Sequence, residues 1–259
     1  MNLPQIAELR THLDDGVLTL TLNRPERKNS LTAEMYAALA QAMGEAATSP
    51  EVKVVVLQGT ETVFCAGNDI GDFLNHPPST PDAPVFRFLQ ALATFDKPLV
   101  AAVCGPAVGV GTTALLHCDL VYAGDNAAFA MPFVNLGLCP EAASSLLAPR
   151  VLGALRANEA LLLGEPFYAE AALEVGLVNK VLPPSEVTGY AQTVARKLAA
   201  KPQASVLATK KLLKQGQQAE VLQRIHDEVQ VFAQLLQGPA AKEAFTAFGE
   251  KRKPNFAGL

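Results

Sequence analysis

The sequence predicts an α/β fold, and three observations carry that prediction. Apolar runs with strand texture, VLTLTLN (17–23), VKVVVLQG (52–59), KPLVAAVCG (97–105) and DLVYAG (119–124), recur along the first half of the chain. Segments with helical apolar spacing separate them. From about Pro183 the texture changes to successive helices with charged faces.

In chain order, VLTLTLN alternates as a strand and RPERKNS breaks it. LTAEMYAALAQAMGEAA (31–47) then reads as a helix, with Ser30 as its expected N-cap and Glu34 near its start. VKVVVLQG is a buried strand ended by Gly59. NHPPSTPDAP (75–84) is a Pro-rich loop, expected to be mobile. VFRFLQALATF (85–95) reads as a helix, KPLVAAVCG as a second buried strand, GTTALLHC (111–118) as a short apolar helix and DLVYAG as a third strand. Four helices follow, over 186–200, 204–216, 219–237 and 240–252, with amphipathic faces suited to packing on the main body or on a partner subunit. The expected division is a core over residues 1–195 and a helical region over 196–259.

Composition removes several classes of function. The 259 residues, 49% hydrophobic, suffice for a large core. With 21 Lys+Arg against 25 Asp+Glu there is no basic stripe for a nucleic acid. The four cysteines form no CxxC pair and sit among apolar residues, as reduced core thiols do. The four histidines lack metal-ligand spacing, so no metal is expected. MNLPQIAELR has no signal-peptide pattern and no apolar stretch is long enough for a membrane span, so the expectation is a cytoplasmic protein.

Three stretches carry candidate chemistry. GVGTTA (109–114) fits GxGxxA after a strand, but GPAV intervenes and no acidic residue ends a following strand about twenty residues on. Dinucleotide binding is therefore disfavoured, while small residues still bring backbone N–H groups close to a ligand at a helix start. VFCAGNDIGDF (63–73) is a strand-to-helix turn in which Asn68 and Asp69 suit a turn or cap. GLCPEAASSLL (137–147) holds Glu141, the sole charged side chain between Asn126 and Pro149. Either Pro140 opens a helix and Glu141 complements its dipole, or Glu141 is a base kept dry.

Together, NRPERKNSL (23–31), FCAGND (64–69), CGPAVGVG (104–111), CDLVYAG (118–124), AFAMP through LGLCPE (128–141) and EVGLVNKVLP (174–183) resemble the enoyl-CoA hydratase/isomerase (crotonase) superfamily along essentially the whole chain. The resemblance implies a spiral of repeated ββα units with a C-terminal helical trimerisation region, and hence a homotrimer or a dimer of trimers. It implies an acyl-CoA substrate, no separate cofactor, and a thioester oxygen held by the backbone N–H groups of Ala66 and Val110. Gly67 and Gly109 would let the chain approach, with Asn68 and Asp69 shaping the turn. Arg27 and Lys28 fall where the family's loop meets CoA phosphates, and Lys251 and Lys253 are candidates for the adenosine 3′-phosphate. Phe133 and Leu136 would line the acyl pocket.

The two acids of the family's hydratases fall here on Thr113 and Phe133, and neither is an acid. Glu141 lies where the peroxisomal type of Δ3,Δ2-enoyl-CoA isomerase carries its base. The resemblance thus implies an isomerase that moves a proton from C2 to C4 of a 3-enoyl-CoA with Glu141 alone. The alternatives are another crotonase-type activity, hydration or thioester hydrolysis, or a non-catalytic acyl-CoA-binding module.

Overall fold

The computed structural model describes residues 1–76 and 82–259. It opens on a hairpin, β1 (Leu9–Asp14) and β2 (Val17–Leu22), turned at Asp15 and Gly16, both at positive φ. There follow α1 (Ala33–Thr48), β3 (Val54–Gln58), α2 (Ile70–Asn75), α3 (Pro84–Thr94), β4 (Leu99–Val103), β5 (Pro106–Val108), the four-residue α4 (Val110–Thr113), β6 (Leu120–Gly124) and β7 (Ala128–Ala130). After them come α5 (Ser144–Leu152), α6 (Ala154–Leu162), β8 (Phe167–Tyr168), α7 (Ala169–Glu174), β9 (Lys180–Leu182), α8 (Pro184–Ala199), α9 (Gln203–Lys214), α10 (Gln218–Leu236) and α11 (Pro239–Gly249). Of the Pro-rich loop expected over 75–84, residues 77–81 lie outside the described residues.

Six strands form one sheet in the order β1-β2-β3-β4-β6-β9, antiparallel at the first pair and parallel beyond it. Its central strands are buried on both faces, which is why they read as unbroken apolar runs. Val54, Val56, Val100 and Ala102 meet Val187, Ala191, Ala195 and Ala199 of α8. Val55, Leu57, Ala101 and Val103 point the other way, into the main core with Met35, Leu39 and Met43 of α1 and Phe88 and Leu92 of α3. The expected division after residue 195 falls inside α8, a helix that packs on the sheet.

A second sheet, in the order β5-β7-β8, contributes Val108 at the end of β5 to the site. Its strands are two or three residues long, too short to show a period. α10 packs against α3 and α5, and α11 against a 3-10 turn at Val134–Leu136. Among the described residues no helix is long and apolar enough to cross a membrane, and no cluster of His, Cys, Asp and Glu could hold a metal ion.

Two local expectations are corrected. The N-cap of α1 is Thr32, whose Oγ1 accepts from Met35 N at 3.2 Å. Ser30 is drawn off by Arg24, whose Nη1 donates to Ser30 O at 3.0 Å and Oγ at 3.2 Å. Pro140 and Glu141 do not begin a helix, since α5 starts only at Ser144.

Candidate active site

The site is assembled from three loops. The first two, NRPERKNSL and FCAGND, lie side by side as a short parallel pair: Leu31 N donates to Gly67 O at 2.8 Å and Asp69 N to Leu31 O at 2.9 Å. Asn29 is fully buried between them, accepting from Arg24 N at 2.7 Å and donating to Phe64 O at 3.0 Å. Arg24 Nη1 reaches Asp69 Oδ2 at 2.8 Å, and Asp69 Oδ1 accepts from Asp72 N at 3.0 Å to cap α2. Burial pulls the Asp69 carboxyl upward, but the Asp72 N–H and the Arg24 guanidinium outweigh it and hold it below its ordinary value.

This pairing corrects one expected donor. Ala66 N–H is occupied, donating to Lys28 O at 3.0 Å. The next residue, Gly67, has φ of 89°, and a Cβ there would stand 2.9 Å from Val108 O. The chain turns at this glycine, and Asn68 N–H beyond it donates to no protein group among the described residues. The expectation for Asn68 is a substrate-binding residue that shapes the turn, not an oxyanion donor. No sequence signal marks its amide as the free one, since Ala66 and Asn68 flank the same glycine. Its side chain is fixed separately, Oδ1 accepting from Tyr36 OH at 2.5 Å.

The third loop supplies a second free N–H. Gly109, at φ of 55°, ends β5 and precedes α4, with its N–H donated to Ala130 O at 2.8 Å. Val110 is the first residue of α4, where an N–H has no intrahelical acceptor, and it too is free among the described residues. Gly111 lets this turn press against the FCAGND loop, since a Cβ there would meet Cys65 O at 2.6 Å.

Asn68 and Val110 line one cavity of ≈ 680 Å³ together with Glu141. Phe133, Leu136, Leu138, Phe73, Phe232, Phe245 and Phe248 supply much of its wall. Phe73 packs edge-on against Phe232 with ring centroids 6.2 Å apart, so α2 and α10 close one side jointly. Arg27 and Lys28 are exposed on the cavity lining, whereas Lys251 and Lys253 do not line it. Of the acids present, Glu26 is exposed and Asp69 is paired with Arg24. Glu141 alone stands in the apolar part, with no basic partner among the described residues.

Glu141 is half-buried, and the Thr113 hydroxyl donates to its Oε1. Its carboxyl is pushed up from 4.5 to about 8, chiefly by burial, with the Thr113 hydroxyl opposing and the Glu228 carboxylate adding to the rise. The helix-cap role falls elsewhere. Ala142 and Ala143 follow Glu141 at φ of 59° and 55°, each costing about 1–2 kcal/mol for an L-residue. Ala143 is the N-cap of α5 and has no side chain to cap with. Glu228 of α10 does so instead, accepting from Ala143 N at 2.6 Å and Ser145 N at 3.0 Å. The buried His117 donates from Nε2 to Ala142 O at 2.7 Å, and burial pushes its pKa down to about 4, so it is neutral.

Comparison with known proteins identifies the family. Residues 12–258 match the family model described as enoyl-CoA hydratase/isomerase. The chain belongs to the enoyl-CoA hydratase/isomerase family. Among its relatives is 1,2-epoxyphenylacetyl-CoA isomerase of Escherichia coli (strain K12), 36% identical over 96% of this chain and 97% of that one. Enoyl-CoA delta isomerase 2 of Rattus norvegicus is 35% identical over 83% of this chain and 56% of the longer rat protein. The fold matches the crystal structure of enoyl-CoA hydratase/isomerase from Pseudoalteromonas atlantica T6c with a TM-score of 0.93, at 41% identity over 96% of this chain and 100% of that one.

Proposed function

We propose that this family member is a Δ3,Δ2-enoyl-CoA isomerase in which Glu141 is the single acid–base group. The observation that carries the reading is the one carboxylate in the apolar part of the cavity, without a basic partner among the described residues, raised to about 8 and facing space shared with two free backbone N–H groups. A base of that strength takes a proton from C2 of a 3-enoyl thioester more readily than an ordinary carboxylate would. The charge then moves to the thioester oxygen, where Asn68 N–H and Val110 N–H receive it. One such donor is typically worth about 3–4 kcal/mol. Glu141, now protonated, returns the proton to C4 of the dienolate, which leaves the conjugated 2-enoyl thioester.

Hydration needs a second group to orient or protonate, and the two positions that would supply it hold Thr113 and Phe133. Thr113 has its proton engaged by Glu141, and Phe133 offers an apolar face to the cavity. The rat delta isomerase relative supports the same choice. Arg27 and Lys28, exposed on the cavity lining, are proposed to meet the CoA phosphates. Leu155 and Leu162 on α6, Leu163 just beyond it, and Leu212 and Leu213 on α9, all more than half exposed, support a trimer or a dimer of trimers.

The test offers trans-3-hexenoyl-CoA and, separately, trans-2-hexenoyl-CoA, and follows the absorbance of the conjugated thioester. An isomerase raises the absorbance of the first and leaves the second unchanged apart from slow equilibration. Loss of absorbance from the second in water, without gain from the first, would overturn the reading in favour of a hydratase. Binding of both thioesters without turnover would overturn it in favour of an acyl-CoA-binding module.

A further inference from the structure

We infer that Glu228 is the positioning residue for Glu141: from α10 it holds the left-handed Ala142–Ala143 turn that aims the base into the cavity. The inference rests on Glu141 being the base proposed above.

Glu228 is only 6% exposed, in the middle of a helix whose other buried residues are Val221 and Ile225. A carboxylate in that place is costly unless donors meet it. Its partners all lie on the loop and first turn beyond Glu141: Ala143 N at 2.6 Å, Ser145 N at 3.0 Å and Ser145 Oγ at 2.5 Å. Arg224, four residues earlier on α10, donates to Ser145 Oγ at 3.1 Å and completes the clamp. From the other side, His117 donates to Ala142 O, and Ser144 Oγ donates to Glu141 O at 2.6 Å.

The turn is strained, its cap comes from a helix distant in sequence, and that helix also contributes Phe232 to the cavity wall. Docking of α10 therefore sets the pocket wall and the direction of the base together.

The electrostatic surroundings are compact. Glu141 is faced by Thr113 of α4, Tyr36 of α1, Cys65 before the Gly67 turn, Cys139 on its own loop and Glu228. Glu228 is faced by Arg224, Ser145, Cys139 and Glu141. Lys210 and Lys214 stand behind His117. A negative charge on Glu228 opposes ionisation of Glu141, so the clamp also keeps the base strong. Burial raises the Glu228 carboxyl as well, against the opposing donors of Ser145 and Ala143.

The deciding experiment titrates Glu141 by carboxyl ¹³C NMR in the full chain without substrate, its signal assigned by its disappearance in Glu141→Gln. Glu228→Gln keeps an acceptor oxygen for the turn and removes the charge. The midpoint of Glu141 is expected to move to lower pH, and kcat on trans-3-hexenoyl-CoA to fall about 10- to 100-fold with KM little changed. Should Glu228→Gln not fold, Ser145→Ala loosens the same clamp, and a several-fold loss of kcat at unchanged KM is expected. A shifted midpoint in a protein with no isomerase turnover would sustain the role of Glu228 and remove the isomerase reading alone. A folded Glu228→Gln, or failing it Ser145→Ala, with the wild-type midpoint and wild-type kcat would overturn the inference.

Discussion

The hydroxyl of Thr113, in α4, donates its hydrogen bond to Oε1 of Glu141, 28 residues further along the chain. One side chain thus orients the proposed base and tempers it, because a bond to the ionised form lowers a carboxyl pKa. Thr113→Val keeps the volume and removes the donor. Activity is expected to fall about 10-fold near neutral pH, with the acidic limb of the kcat profile moving to higher pH. A profile superimposable on that of the wild type would show that the bond does neither job.

Glu141 also leaves a mark on stability. Its carboxyl titrates at about 8 in the folded protein against an ordinary 4.5, mainly through burial. Between those values the native state holds a proton that the unfolded chain has released, so this group erodes stability as pH rises from about 4.5 to 8. Glu141→Gln removes the penalty. Denaturant titrations are expected to show near-equal stabilities at pH 4.5 and an advantage for the variant on the order of 1–3 kcal/mol at pH 8.5. An advantage that does not grow with pH would contradict the raised pKa.

His117 has the opposite dependence. Burial drops its pKa from 6.5 to about 4, so the unfolded chain takes up a proton before the folded one does. Its contribution is present above about 6.5 and is lost as pH falls towards 4. The effect is cleanest in a Glu141→Gln background, where the opposing titration is gone. There, stability is expected to decline through that window with the slope of about one proton, and the additional change His117→Gln to flatten it. An unchanged slope would assign the proton uptake elsewhere.

The proposed oxyanion donors depend on Gly67. A Cβ at this positive-φ position would stand 2.9 Å from the Val108 carbonyl oxygen, and relief of the clash must move the Asn68 amide or the strand that precedes Val110. Gly67→Ala is expected to lower kcat about 10²- to 10³-fold, the cost typical of one lost oxyanion donor. Chemical denaturation would report a destabilisation of about 1–2 kcal/mol from the left-handed backbone. Full activity in a folded variant would remove Asn68 N–H from the mechanism.

Much of the fold is legible in the amino-acid order because burial on both faces writes unbroken apolar runs, as at Val54–Leu57 and Leu99–Val103. Strands of two or three residues, β5 and β7 to β9, leave no period to read. At the site, the presence of Glu141 and the absence of acids at 113 and 133 are visible in sequence. The free amide is not. Ala66 and Asn68 flank the same glycine, and only the tertiary bond from Ala66 N to Lys28 O separates them. The choice between helix cap and base was equally hidden, because the cap is Glu228, 85 residues after Ala143. Arg24 and Asn29, which bind the two loops together, carry no local pattern that distinguishes them from surface polar residues.

The most direct measurement compares wild type with Glu141→Gln on trans-3-hexenoyl-CoA at pH 8 to 9, where the base is largely ionised, following formation of the conjugated thioester. A loss of about 10³-fold or more in kcat, with the variant still folded and still binding the thioester, is the predicted result. Equal rates for the two proteins would contradict the account and return Glu141 to a structural role.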